Sequence, residues 1–357
     1  MCGLQKCPLY DNLNKFHSLG WKKDVEAPSP PHYMISWKNY PDVAIGPSLA
    51  LGGLANNAYE MSLEDFITVR ANELRTYQVK GIRNSEELAL STNTLQFDVR
   101  LKTTPKLFQL NPQGVSAPAE SISTSETPKV PGKVYSLVDS HDIKAQSALM
   151  ELEEFGFDYM VQVLSTGNLG LPTQRKMVPT RWAITAVDSS LAKSHFQKIR
   201  GKPQINNIEV YESHHWDNHF LVILVPWGWA FEMLESWYGG VPVHDHEYGR
   251  LKKDYAKNVT GAYYAARLEI LKSLYERGRL ATGIVIRWVG KKYVYPVGVW
   301  HIRDAVKRAL AKSPKKFESF QEVEMEYPLN WSKWKEQSVL WKMLTKQSKL
   351  SQFGEST

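Results

Sequence analysis

The chain reads as an α+β fold: a mixed or mainly antiparallel sheet with packed helices, ending in a mobile C-terminal tail. Three observations carry this. Strand-type and helix-type runs alternate irregularly, without the regular order of a doubly wound sheet. The clearest helix, Thr260 to about Arg277, gathers Tyr264, Leu268, Leu271 and Tyr275 on one face. The strand-type runs Ile208–Tyr211 and Phe220–Val225 lie close enough along the chain to pair.

In chain order, Tyr33–Trp37 reads as a short strand, Asn39-Tyr40-Pro41-Asp42 as a turn and Val43–Gly46 as a second strand. Ser62-Leu63-Glu64-Asp65 opens a helix, with Leu63, Phe66, Ile67, Val69 and Leu74 near helical spacing. From Lys102 to Lys133 the composition changes, with five prolines and the run Ser121–Ser125. That stretch has little to bury and reads as a linker or surface strap. Ala145–Phe155 is helical. Trp182–Val187 reads as a β-type run ending at Asp188, with Ser189 and Ser190 placed to cap a helix through about Ile199. Gly283–Val289 and Tyr293–Val297 predict a hairpin turned at Gly290-Lys291-Lys292, and Val299–Leu310 a helix. Trp331, Trp334 and Trp341 sit among lysines in a helix that can pack on the body. The expected organisation is an N-terminal domain (1–101), the Pro/Ser/Thr-rich stretch (102–133), a C-terminal α+β domain (134–330), the Trp-rich helix (331–346) and a tail (347–357).

A length of 357 residues suits about two domains. Apolar residues at 43% and charged residues at 23% exclude wholesale disorder, a collagen-like repeat and a disulfide mini-protein. Lys plus Arg outnumber Asp plus Glu by 44 to 37, and the net charge of +7 invites a polyanion without proving one. The two cysteines, Cys2 and Cys7, are too few for a disulfide framework and point to a reducing compartment. The N-terminus has no apolar h-region. The most apolar stretch, Phe220–Leu234, is broken by Pro226 and Gly228 and contains Glu232, so no membrane span is expected.

Five constellations can carry chemistry. In the tail, Gln347, Leu350 and Phe353 have the spacing of a sliding-clamp-binding peptide. A single 3₁₀ turn would project Leu350 and Phe353 together as an apolar plug, with the Gln347 amide for a polar pocket. The position of a second aromatic is filled by Gly354. Cys2 and Cys7 can be half of a structural zinc site, or two free thiols. The histidine group His214, His215, Asp217 and His219, with His244, Asp245 and His246 further on, offers metal ligands or a general base. In strand geometry His215, Asp217 and His219 would share one side. A polar hairpin loop is the bland alternative. Asn258-Val259-Thr260-Gly261 opens the Tyr-rich helix, with Arg267 one turn in. Its N–H groups can form a phosphate site, or an ordinary cap. Arg175, Lys176 and Arg181 adjoin Trp182, a set suited to a sugar-phosphate backbone and a stacked base, or to a loop entering the core.

Several of these segments carry a family resemblance. They are Cys2-Gly3-Leu4 through Cys7-Pro8, Ser36–Pro41 with Val43–Pro47, Val178–Asp188, Phe231–Glu235, Asn258–Arg267 and Pro296–Trp300. Across nearly its whole length the chain resembles the archaeal Nre family of DNA repair proteins. The resemblance implies a role in DNA damage repair through the replication clamp, PCNA, and matches the ending Gln347, Leu350 and Phe353. It names no reaction. Family members often carry a further cysteine pair ahead of the Cys-Gly-Leu segment, completing a four-cysteine zinc finger. This chain begins at Met1, so either the start lies upstream or this member has lost the metal.

The resulting expectation is a cytoplasmic, nucleoid-associated repair factor with PCNA and DNA as partners. The alternative is an enzyme acting on a nucleotide or DNA phosphodiester. Its phosphate would sit at Asn258, Thr260, Gly261 and Arg267, joined by Arg181, with Asp188, His215, Asp217 or His219 as catalytic groups. A third reading, a protein adaptor working through the Trp-rich helix, competes with core packing of the same tryptophans.

Overall fold

The structure is a computed structural model that describes residues 21–30, 33–37, 40, 41, 43, 45–53, 57–77, 85–105, 115–293 and 296–351. The side chains of 33, 85, 86 and 347–351 are outside this description. The chain divides into two compact units, Gly3–Ser190 and Leu191–Thr357. Each holds a six-stranded mixed sheet.

The first unit contains β1 (Asp24–Ser29), β2 (Tyr33–Ile35), β3 (Ile45–Ala50), β4 (Glu73–Tyr77), β5 (Leu95–Leu101) and β6 (Val115–Ser123), in the order β1-β5-β6-β4-β3-β2. Its helices are α1 (Leu63–Ala71), α2 (Ser85–Leu90), α3 (Gly132–Asp139), α4 (Ala145–Glu151) and α5 (Phe157–Ser165). β5 shows why these residues form a strand. Leu95, Phe97, Val99 and Leu101 are buried at period two, against Ala27, Leu49, Leu74 and Ala117. α1 starts where the sequence predicts, with Ser62 Oγ accepting from the Asp65 N–H at 3.0 Å.

Two expectations need correction here. The Pro-rich stretch 102–133 does not run between two units: it supplies β6, third in the first sheet. Small apolar residues at period two, Val115, Ala117 and Ala119, are enough to bury it. Pro118 is accommodated beside a register shift between Arg100 and Leu101, where a missing N–H costs least. The run Trp182–Val187 is not a strand. It lies inside α6 (Thr180–Ile199), a helix that continues past the unit division. Ala183, Val187 and Leu191 are buried at four-residue spacing, so helical burial overrides the β-branched residues between them. Ser189 and Ser190 are mid-helix and cap nothing.

The second unit contains β7 (Ile208–His215), β8 (Asn218–Val225), β9 (Ala230–Trp237), β10 (Val243–Tyr248), β11 (Thr282–Val289) and β12 (Lys315–Phe317), in the order β10-β9-β11-β8-β7-β12. Its remaining helices are α7 (Gly261–Arg277), α8 (Val299–Leu310), α9 (Phe320–Glu326), α10 (Trp331–Gln337) and α11 (Val339–Ser351). α7 ends at Gly278, whose φ of 61° a side chain would resist. The hairpin after β11 is not formed among the described residues. β11 pairs with β8 and β9, and the Tyr293 hydroxyl accepts from the Val297 N–H at 3.1 Å, which holds the chain in a loop.

The two faces of this sheet are covered differently. One face packs through apolar side chains: Val210, Ile223, Ile284 and Ile286 meet Trp331, Trp334 and Trp341, so the tryptophans are core. The opposite face meets α7 and α8, with the Phe231 and Tyr263 rings 4.9 Å apart and Ser213 Oγ donating to Ala305 O at 3.0 Å. Glu232 projects to the tryptophan side as a fully buried carboxylate. It accepts from Ser338 Oγ, from the Val339 N–H at 2.8 Å and from the Leu340 N–H at 3.1 Å. His244 Nδ1 stands 3.0 Å away. Burial raises the Glu232 pKa, but the hydrogen bonds from His244, Ser338, Val339 and Leu340 outweigh it and hold the group below its ordinary value. The carboxylate is thus the N-terminal anchor of α11.

Replacing Glu232 by Ala should therefore cost about 2–4 kcal/mol, because buried donors lose their acceptor. Ser338→Ala should cost only about 1 kcal/mol. Urea unfolding of the two variants measures both, and equal losses would contradict the anchoring role.

Candidate functional site

In the first unit an exposed aromatic and cationic surface is assembled from two distant segments. The Ile35 N–H donates to Thr180 Oγ1 at 2.8 Å, which ties the end of β2 to the start of α6. That contact brings Trp37 beside Arg181, whose guanidinium carbon lies 5.5 Å from the indole centroid. Tyr40 meets Trp182 edge-on at 5.1 Å. Trp37 and Trp182 are 53% and 46% exposed, values that no core role explains. Lys176 and Met177 are exposed in the same unit. Arg175 does not join this surface. It donates to Gly170 O and Ser140 O and braces a loop. Asp188 is buried on α6, two helical turns beyond Arg181. The sequence pointed to Arg181 and Trp182 as one group. The share taken by Trp37 and Tyr40 was not visible, because it depends on the Ile35–Thr180 contact.

In the second unit the segment Asn258–Arg267 is arranged for support. Asp245 Oδ2 accepts the N–H groups of both Asn258 and Val259 at 2.9 Å. The Asn258 amide donates to His244 O. Thr260 has a positive φ of 59° and no side-chain cap bond. Gly261 allows a close approach, but of Val299, whose Cγ1 lies 2.8 Å from where a Cβ would stand. Arg267 is 1% exposed and donates to Glu247 Oε2 at 2.8 Å. Glu247 also accepts from Trp229 Nε1 and from the Lys252 N–H. Asp245 and Glu247 thus take two backbone donors of this segment and one Arg267 nitrogen, while Arg267 Nε is buried without a partner. β10 explains this: Asp245 and Glu247 alternate to the α7 side, while His244 and His246 point with Glu232 to the other.

At the far end of the sheet, Arg287 is a buried hub that sequence reasoning missed. It donates to Glu235 Oε2 at 2.5 Å and to Asn218 Oδ1 at 2.5 and 3.1 Å, under the rings of Phe220, Trp237 and Tyr293. The signal was present, since Arg287 is the single charge in Thr282–Val289. β7 and β8 are joined by Trp216-Asp217, both at positive φ (51° and 58°), the two-residue turn that matches strand twist. The turn separates the histidine group. His215 does not share a side with Asp217 and His219: its Nδ1 is 2.9 Å from His301 Nε2, while the side chains of His214, Asp217 and His219 converge. Among the described residues two sets could hold a metal, this one and Glu232, His244 and His246. In the second set both Glu232 oxygens already serve α11.

Cys2, Cys7 and Phe353 lie outside the described residues. The backbone at Gln347 and Leu350 belongs to α11, so here it is α-helical and not a 3₁₀ turn.

His301 is fully buried, and burial, with the nearby charges of His215 and Arg287, depresses its pKa to about 3. Below about pH 6.5 the unfolded chain binds a proton at this ring and the folded chain does not. Stability therefore drops as the pH is lowered, by about 1.4 kcal/mol per unit. The loss continues until the folded ring titrates near 3. His301→Gln should remove most of that slope, as urea unfolding of both proteins at pH 7 and pH 5 would reveal.

The chain is 32% identical to the DNA repair protein NreA of Archaeoglobus fulgidus over 356 residues, covering 90% of this chain and 89% of the relative. It is 32% identical to NreA of Haloferax volcanii over 320 residues, covering 78% and 76%. It is 28% identical to NreB of Archaeoglobus fulgidus over 381 residues, covering 95% and 94%. No solved structure matches it. Residues 1–241 match the family model described as Archaeal Nre, N-terminal, and residues 247–353 the one described as Archaeal Nre, C-terminal. With both models matched in order along one chain, and relatives aligned over most of their length, the chain belongs to the archaeal Nre family.

Proposed function

We propose that this chain is a DNA damage repair factor that contacts DNA through Trp37, Tyr40, Arg181 and Trp182, and is recruited through the PCNA sliding clamp by Gln347, Leu350 and Phe353. The observation that carries the DNA contact is the pair of half-exposed indoles with a guanidinium between the end of β2 and the start of α6. Aromatic faces accept any unstacked base, and the cation serves the adjoining phosphate. Exposed Lys176 and the net charge of +7 favour the same partner. The names of the relatives support the repair role. Cys2 and Cys7 keep the reading of one half of a zinc site. No helix among the described residues is long and apolar enough to cross a membrane.

The enzyme alternative finds less room at Asn258–Arg267, because Asp245 takes the Asn258 and Val259 N–H groups and Glu247 one Arg267 nitrogen.

Two experiments test the proposal. Fluorescence anisotropy with single-stranded and duplex oligonucleotides should show Trp182→Ala weakening single-strand binding about 5- to 150-fold, the range for one base–aromatic stack. Arg181→Ala should lower the salt dependence by roughly one phosphate contact. Unchanged affinity in both variants would reject the interface. Pull-down with the clamp should fail for Leu350→Ala/Phe353→Ala, and equal capture would reject the tail peptide.

A further inference from the structure

We propose that the β7–β8 hairpin tip binds a divalent transition-metal ion of the zinc class between His214, Asp217 and His219. Their ligand atoms all lie within 4.8 Å of one another. The antiparallel register sets His214 opposite His219, and the two rings stack at 4.1 Å. Asp217 Oδ1 stands 3.8 Å from His219 Nε2. This is too far for a hydrogen bond. It is near the roughly 3.3–3.5 Å that separates two ligands held about 2.0–2.2 Å from one tetrahedral ion.

The carboxylate is also held in place for coordination. The Gly290 N–H donates to the Asp217 backbone oxygen and the Lys292 N–H to Asp217 Oδ2, each at 2.8 Å. The backbone at Gly290 is so close that a Cβ there would overlap the carboxylate. One carboxylate oxygen is thereby committed to the loop, and the other is left toward the imidazoles. Outer contacts of this kind orient ligands before an ion arrives. The indole of Trp288 lies parallel to the His219 ring at 4.8 Å and fixes its plane.

Two imidazoles and one carboxylate favour zinc and its first-row neighbours over magnesium or calcium, which prefer all-oxygen sets. Three protein ligands leave a fourth position for water or a polarised oxygen of a bound molecule. The site shares no residue with Cys2 and Cys7, nor with the aromatic surface of the first unit.

The test uses the full chain carrying Cys2→Ser and Cys7→Ser, stripped with chelator and titrated with Co²⁺. The expected result is one Co²⁺ per chain, seen by visible d–d absorption and displaced by Zn²⁺. His219→Ala should weaken binding by about tenfold or more. Asp217→Asn should do the same while keeping the turn, because Asn tolerates the positive φ and still accepts from Lys292. In the chain with native cysteines, Asp217→Asn should lower bound zinc by one equivalent. Absence of Co²⁺ uptake, or uptake unaltered by both substitutions, would overturn the proposal.

Discussion

Four charged side chains of the second unit have almost no contact with water: Glu232, Arg267, Arg287 and Glu247, at 0, 1, 3 and 4% exposure. An ion taken out of water costs several kcal/mol unless its partners are in place. That requirement organises the unit. Arg267 needs Glu247, which pulls the edge strand β10 against α7 and draws in Trp229 and the Lys252 backbone. Arg287 needs Glu235 and Asn218, which joins β9, β11 and β8 at one end. Glu232 needs the N–H groups of α11. Each pairing crosses between elements distant in sequence, so each fixes tertiary arrangement rather than local structure.

The same requirement decides where function can lie. Donors engaged by buried carboxylates are closed to a ligand, as the Asn258 and Val259 N–H groups are by Asp245. What stays open is of two kinds. The first unit presents exposed aromatic faces and a cation at its surface. The second presents imidazoles and a carboxylate oxygen at a hairpin tip, where strand pairing holds the backbone but leaves the side chains reachable.

Much of the fold was legible in the sequence, and the reasons differ by element. α8 is legible to its bounds because Val299–Leu310 is strongly amphipathic, and α1 because Ser62 supplies its cap. β7 and β8 are legible as paired strands from their apolar runs. The run Trp182–Val187 misleads because local composition favours a strand, while burial at every fourth residue favours a helix. β6 is hidden by its prolines. In the candidate sites, Arg181 and Trp182 are legible as neighbours, but Trp37 needs a contact across 145 positions of sequence. His215 is misplaced by period-two reasoning, which assumes a continuous strand, whereas a two-residue turn inverts the order after His215. His301 gives no signal, since a lone histidine on a helix has many uses.

The anchoring of α11 has a mechanical consequence. The described side chains at the start of α11, Leu340, Trp341 and Leu344, are buried with the other tryptophans, so the helix leaves the second unit from a fixed root at Glu232. Whatever lies further along the chain is tethered at one defined point, and a partner captured there would meet the second unit at a raised local concentration. Severing the root at Glu232 would move the tether point back along the chain and dilute that encounter, without altering a single residue of the peptide itself.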